Sequence, residues 1–265
     1  MKIWYQSASS FGFEPVWDDY GQTLQAQCRA VVHPDTEVHV RGIPVMVRDV
    51  ENWKSLQYFQ NIQTINNMIQ AEREGFDAFV IGCTLDVGLA EGRSLLDIPV
   101  VAISETAYHT AMTLGRRYAV VTSSSAFCEV YGEQVVRYGV ESRYMPGPYI
   151  VHASEEEIAS SLGKPGPLLD KFIIQAKRAV ADGASVIIPG PAFLTTMAYR
   201  AGLKEIDGAP VLDTISLAVK TAEMMVGMNR LGLTPSRCIG AYAKPQGDWV
   251  EPAFEKFKTV FKINR

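Results

Sequence analysis

The chain has 265 residues, with 25 Lys and Arg against 29 Asp and Glu and a formal net charge of −4. At 47% hydrophobic and 20% charged residues, it has the balance of a chain that buries a sizeable core, in one large domain or two small ones. The acidic balance without a Lys/Arg-rich run argues against nucleic acid as a partner, and the lack of any apolar stretch near the ~20 residues needed to span a bilayer argues against a membrane.

Short apolar runs alternate with longer amphipathic ones along the chain. The opening MKIWYQSASS carries a candidate strand at 2–6 and lacks the apolar core of a secretory leader, so a cytoplasmic setting is expected. A second strand is expected at 37–41 (EVHVR). Residues 52–75 then place Trp53, Leu56, Phe59, Ile62, Ile65, Met68 and Ile69 three or four apart, which predicts a helix. Its apolar stripe suits an interface between copies as well as a core, so a homo-oligomer is among the expectations. Strands follow at 78–82 (AFVIG), 99–103 (PVVAI) and 118–122 (YAVVT), nearly continuous apolar runs of the kind that helices cover on both faces. The turns in SLGKPGPLLD (161–170) read as a break between helices rather than a domain linker. Strands at 184–189 (ASVIIP) and 210–213 (PVLD) lead into a helix at 213–231 with Ile215, Ala218, Val219, Ala222 and Met225 at helical spacing. A terminal helix with Phe254, Phe257, Val260 and Phe261 on one stripe is expected to pack on the first lobe. Strand and helix in alternation predict parallel sheets with right-handed crossovers.

A weak internal repeat refines this picture. Aligning Gly82 with Gly190 sets FDAFVIGCTL (76–85) against ASVIIPGPAF (184–193), and a strand beginning with Pro99 or Pro210 follows each copy. The fold class expected is α/β, with two similar lobes related by a pseudo-twofold axis, each a parallel sheet flanked by helices, and the active site between them. Residues 1–105 with 216–265 form the first lobe and 106–215 the second. The opposing reading is that any two βαβ units look alike at this level.

Ligands of parallel sheets sit beyond the carboxyl ends of the strands. Those positions are Gln6 to Ser10, Cys83 and Thr84, Ser104 and Glu105, Ser123 to Ser125, Gly190 to Ala192, and Asp213 and Thr214. Cys83 is the sharpest candidate. It follows a buried strand and is expected to open a turn into a helix starting near Asp86, where the helix dipole would lower its pKa. A thiolate there takes a proton from carbon or attacks a carbonyl. The opposing reading is a buried structural cysteine, the commoner fate of the residue. Cys28, Cys128 and Cys238 read as packing, and no C-x-x-C pair or metal-like His spacing occurs, so no metal is expected. Ser7, Ser9, Ser10, Ser123 and Ser124 suit helix capping, and with free N–H groups they also suit an anion or carbonyl cradle. No phosphate-binding glycine motif follows a strand, so no nucleotide is expected. His109 lies four residues past Glu105 on one helix face, either an acid/base couple or a surface contact. Trp4, Tyr5, Phe11, Phe13 and Trp17 cluster near the first loop, as pocket wall or as core.

At IGCTLDVGL followed by DIPVVAISETA, and again at ADGASVIIPGPAF followed by GAPVLDTISLAVKTAEMMV, the sequence resembles the Asp/Glu/hydantoin racemase superfamily, in particular its hydantoin- and allantoin-racemase branch. The resemblance implies two α/β lobes, no cofactor, and a small-molecule substrate held between two cysteines, one on each side of its α-carbon. The first of these falls on Cys83, with Thr84 beside it. The second falls on Pro191, which has neither an acidic proton nor an N–H. The family's Asn-Pro-Asn-Ser/Thr loop appears as Gln6-Ser7-Ala8-Ser9-Ser10. The implied ligand cradle is Ser7 to Ser10, Ser123, Ser124 and Gly190 to Ala192. With one thiol, three outcomes remain. A non-cysteine group such as His109, or a bound water, serves the other face; Cys83 acts as a lone proton donor, as in the superfamily's decarboxylases; or Cys83 attacks a carbonyl or an activated alkene, as a hydrolase or a cis–trans isomerase would. The expectation is a cofactor-independent isomerase acting beside a carbonyl of a small carboxylate, amide or cyclic ureide. A hydrolase or decarboxylase is the runner-up, and a non-catalytic binding protein is the rival of another class.

Overall fold

The apolar runs at 78–82 and 118–121 can persist as strands only where both faces are covered, and the chain meets that condition twice. The structure, a computed structural model, describes residues 1–47, 49–153, 157–158, 161, 166–236 and 240–260. In the first sheet β1 (Lys2–Ser7), β2 (Glu37–Arg41), β3 (Ala78–Gly82) and β4 (Val100–Ala102) run parallel in the order β2-β1-β3-β4. In the second, β5 (Tyr118–Val121), β6 (Tyr144–Met145) and β7 (Val186–Pro189) run parallel in the order β6-β5-β7, and a parallel bridge from Ile187 to Val211 extends it by one place. Both sheets therefore share one plan. Gly82 ends β3 opposite Ser7 of β1, while Gly190 just beyond β7 donates its N–H to Val121 O of β5 at 2.7 Å.

The helices are α1 (Asp18–Val31), α2 (Lys54–Arg73), α3 (Leu89–Leu95), α4 (Ile103–Leu114), α5 (Ser125–Arg137), α6 (Pro167–Ala181), α7 (Ala192–Arg200), α8 (Thr214–Arg230) and α9 (Val250–Val260). Leu24 and Cys28 of α1 and Ile215, Ala218 and Val219 of α8 cover one face of the first sheet against Ile3, Tyr5 and Val80. Phe172 and Ala176 of α6 and Leu194 and Met197 of α7 do the same for the second sheet. A third cluster joins the inner faces, with Trp4, Phe79 and Ile81 meeting Tyr118, Val120 and Ile188 through Tyr108 of α4 and Tyr131 of α5. Each fully buried large apolar side chain contributes about 1.5–3 kcal/mol, against about 0–1 kcal/mol for an exposed ion pair. This shared core, rather than contacts such as Lys54 with Glu133 at 3.3 Å, fixes the lobes on one another.

Local departures from the expected elements have physical causes. The fourth strand stops at Ala102 because Ile103 already opens α4. The expected strand at 210–213 reaches the sheet only through Val211. Ala209–Pro210 instead pairs antiparallel with Glu205–Ile206 as the hairpin β8–β9. Its two turn residues, Asp207 (φ 49°) and Gly208 (φ 84°), are the Asp-Gly pair such a turn requires. On α2 only part of the apolar stripe is buried: Met68 points inward together with Gln60, Thr64 and Ala71, while Leu56 and Phe59, and Trp53 just before the helix, are exposed. The terminal helix touches the first lobe at its start, where Glu251 reaches Arg73 of α2 at 3.4 Å, and Lys244 before it reaches Asp97 at 2.6 Å, but Phe257 and Val260 of its expected packing stripe are exposed. Cys238, Phe261 and residues 162–165 of the expected helix break lie outside the described residues. Among the described residues no helix is long and apolar enough to cross a membrane.

Candidate active site

The carboxyl ends of β1, β3, β5 and β7, two from each sheet, meet at a cavity of about 400 Å³. Ser7 and Ser9 enter it after β1, Cys83 and Thr84 after β3, Ser123 after β5, and Pro191, Ala192 and Phe193 after β7. The β1 end is stiffened from below by Gln6, which is buried. Its amide donates to Arg41 O (3.1 Å) and Gly42 O (3.0 Å), and its Oε1 accepts from Trp4 Nε1 (3.0 Å) and Asn67 Nδ2 (2.8 Å). Ser7 Oγ and Ser9 Oγ lie 2.8 Å apart, so the two hydroxyls share a hydrogen bond.

The turn that carries Cys83 is held by both lobes. Thr84 O accepts from Ser104 Oγ and from Gln134 Nε2 of α5, each at 2.8 Å, and Tyr131 OH of α5 donates to Thr84 Oγ1 at 3.3 Å. Asp86 N–H closes the turn onto Cys83 O at 3.0 Å, with Asp86 in the left-handed region (φ 49°) that aspartate tolerates better than most residues. The buried Asp86 carboxylate accepts from Ser104 N (3.0 Å), Glu105 N (2.9 Å) and Tyr138 OH (2.7 Å). Burial pushes its pKa from 3.8 to about 7 despite those three donors, with the Glu105 charge acting in the same direction.

At Cys83 itself the sulfur is half-buried, with Gln60 Nε2 of α2 at 4.0 Å. The expected helix does not start at Asp86; α3 begins at Leu89, after a left-handed Gly88. The turn that carries Cys83 therefore does not open directly into a helix. Burial pushes the thiol up to about 12, opposed by the Leu85 N–H and reinforced by the charges of Asp86 and Glu51. The expected low-pKa thiolate is thus corrected to a thiol that is neutral at neutral pH.

Glu51 comes from a short turn, Val50–Asn52, between β2 and α2. That turn packs on α5, and Ser124 Oγ donates to Glu51 Oε1 at 3.4 Å. Burial raises the Glu51 carboxyl above its ordinary value, with the Asp49 charge adding to the rise.

Of the residues singled out in the sequence, Ser7, Ser9, Cys83, Thr84, Ser123, Pro191 and Ala192 come together around the cavity. Ser10, Ser124, Gly190, Glu105 and His109 do not line it, nor do Gln6, Ser104, Ser125, Asp213 and Thr214. Ser10 is fully buried, and its Oγ accepts from Met46 N at 3.0 Å. Ser124 lies behind Glu51, and Gly190 faces a small interior void beside Tyr131 and Thr214. Glu105 and His109 are not an acid/base couple in the cleft: the inward face of α4 is Ser104, Ala107, Tyr108 and Ala111, which turns both outward. The Glu105 carboxylate is taken by the Arg93 guanidinium at 2.8 and 2.6 Å, and His109 is exposed. Among the five aromatic residues near the first loop, only Trp17 lines the cavity, and Tyr20 joins it. Phe127 and Phe193, in the first turns of α5 and α7, also line it and lie one helical turn past strand ends already singled out. Glu51 and Gln60 carry no local signal, since tertiary packing alone brings them in.

A family model described as Asp/Glu/Hydantoin racemase matches residues 18–222. A hydantoin racemase of Rhizobium meliloti is 32% identical over 182 residues, which cover 67% of this chain and 70% of that protein. Among solved structures, an allantoin racemase from Klebsiella pneumoniae gives a TM-score of 0.75 at 22% identity, covering 94% of this chain and 95% of that one. An allantoin racemase from Pseudomonas fluorescens gives 0.72 at 25% identity, covering 94% and 98%. The two parallel sheets flanked by helices are thus an arrangement shared with known racemases.

Proposed function

The chain belongs to the Asp/Glu/hydantoin racemase family, and on that premise we propose that it is a cofactor-independent, cytoplasmic isomerase that moves a proton at the carbon next to a carbonyl, with Cys83 as its one catalytic thiol. The substrate class is a small carboxylate, amide or cyclic ureide. The names of its relatives, hydantoin and allantoin racemase, weight the last of these.

The observation that carries the reading is the Cys83 sulfur at the end of β3, inside a cavity on which strand ends of both sheets converge, where burial favours the neutral thiol. A thiol in that state gives a proton to carbon more readily than it attacks a carbonyl as thiolate, which favours an isomerase over a cysteine-nucleophile hydrolase. The enolate oxygen formed as the C–H bond breaks needs donors. Those at hand are the Ser7, Ser9 and Ser123 hydroxyls and the free N–H groups of Ala192 and Phe193 at the start of α7. Loss of one such donor typically lowers a rate by about 10²–10³-fold, so the cradle matters as much as the thiol.

Incubating the separate enantiomers of a 5-substituted hydantoin with the protein in D₂O tests this. Deuterium entering the α-carbon together with inversion, and no ring opening, is the expected result. Ring opening with a trapped thioester on Cys83 would establish the hydrolase instead.

A further inference from the structure

We propose that Glu51 is the proton-transfer group for the substrate face turned away from Cys83. This rests on the isomerase reading above, which leaves that face without a thiol because Pro191 stands at the β7 end. Of the carboxylates that line the cavity among the described residues, Glu14 and Asp49 are exposed at the rim, and only Glu51 is half-buried. Its place in space differs from its place in the chain. Although it follows β2 of the first lobe, its turn packs on α5 of the second, and Ser124 at the start of α5 donates to its carboxylate at 3.4 Å. Val50 beside it packs into the core shared by the lobes. Cys83 and Glu51 thus line one cavity from different places, Cys83 on the β3 turn and Glu51 on a first-lobe turn lodged against α5 of the second lobe.

The two groups also feel one another: the Glu51 charge is among the causes that hold the Cys83 thiol protonated. Like charges lining one cavity do not both ionise readily, so the pair is most stable one proton short of full, as carboxylate and thiol. That is the state one direction of racemisation requires. The carboxylate takes the α-proton, the C–H electron pair passes into the adjacent carbonyl as an enolate, and the Cys83 S–H delivers its proton to the opposite face. Carboxylic acid and thiolate remain, and they run the reverse direction or exchange protons with water. No oxidant, reductant or further reactant is needed.

Two measurements on the full chain test this. In the first, each enantiomer of 5-benzylhydantoin is incubated in D₂O with wild type, E51Q and C83S. E51Q is expected to slow deuterium entry into one enantiomer by about 10²-fold or more while leaving the other within about 3-fold, and C83S to do the mirror image. E51D, which keeps a carboxylate, should retain exchange from both. If E51Q slows both enantiomers alike, or neither, the assignment is overturned, because a structural role has no preference between faces. The second measurement needs no turnover: the pH midpoint for alkylation of Cys83 by iodoacetamide, read by mass spectrometry, should fall in E51Q. An unchanged midpoint overturns the pairing. Absence of exchange in wild type, with the midpoint still shifted, would count against the isomerase reading and leave the pairing standing.

Discussion

The Gly82-Cys83-Thr84 turn and the Gly190-Pro191-Ala192 turn occupy the same place in two sheets of the same plan, and they bring opposite things to the cavity. Both glycines are there for close approach. A Cβ at Gly82 would lie 2.4 Å from the Tyr5 ring and 2.7 Å from Gln6 O, and one at Gly190 would lie 2.9 Å from Val121 O. Beyond the glycine the two diverge. After Cys83 the chain makes a turn pinned by Asp86 and delays its helix to Leu89, so the helix that follows the thiol does not start beside it. After Gly190 the chain passes through Pro191 straight into α7 at Ala192, which gives the cavity free N–H groups and a helix N-terminus but no acid. One turn holds a reactive group without opening into a helix, the other opens into a helix without a reactive group. The scaffold is duplicated, and one or two residues per turn decide the chemistry.

The strongest way to sharpen this comparison is to make the turns more alike. In the E51Q background, Pro191→Cys places a thiol at the start of α7, where the dipole favours thiolate. It should recover most of the about 10²-fold loss of deuterium entry on the affected face; no recovery would mean that the two turns do not address one ligand.

Next in size are the strand ends themselves. Forcing a methyl group into either site is overpacking, which costs about 1–3 kcal/mol. Gly82→Ala should fall at the upper end and Gly190→Ala at the lower, since the contacts at Gly82 are closer. Urea unfolding of both variants measures this, and the reverse order would break the comparison.

The pin of the first turn gives a pH signature. Because folding raises the Asp86 pKa from 3.8 to about 7, its contribution is most stabilising below 3.8 and is lost as pH rises through about 7. Asp86→Asn keeps a residue tolerant of the left-handed backbone but does not titrate there. The stability difference between wild type and this variant should therefore shrink as pH rises across that window, as thermal melts at a series of pH values would show. A constant difference would contradict the raised pKa. The smallest effect is expected at His109, exposed on α4: His109→Ala should change stability by about 0.5 kcal/mol or less and leave exchange rates unaltered.

How far the sequence reveals all this depends on whether a signal is local. The buried strands at 78–82 and 118–121 announce themselves as unbroken apolar runs, and their carboxyl ends point to Cys83, Thr84, Ser7 and Ser123, all of which line the cavity. The Asp207-Gly208 hairpin also carries a local signal, but its strands are only two residues long and fall beneath the periodicity that marks longer ones. Helix α2 misleads for a different reason. Much of its apolar stripe lies outside while Gln60 and Thr64 turn inward, Gln60 to line the cavity, and Met68 and Ala71 on the same face reach the core. Glu51 is the extreme case: only the packing of its turn on α5, far along the chain, brings its carboxylate to the cleft. The depressed thiol pKa expected from a helix start near Asp86 failed on a boundary, since three more residues of turn carry the dipole away from the sulfur.

Everything proposed for the reaction requires the Cys83 thiol to supply a proton to the substrate carbon. The most direct test follows inversion of one hydantoin enantiomer into the other by chiral chromatography, for wild type and Cys83→Ser at equal concentration of folded protein. The account predicts that the substitution lowers inversion by about 10²–10⁴-fold, the range that a lost proton-transfer group commands. Inversion at the wild-type rate in the serine variant would contradict it.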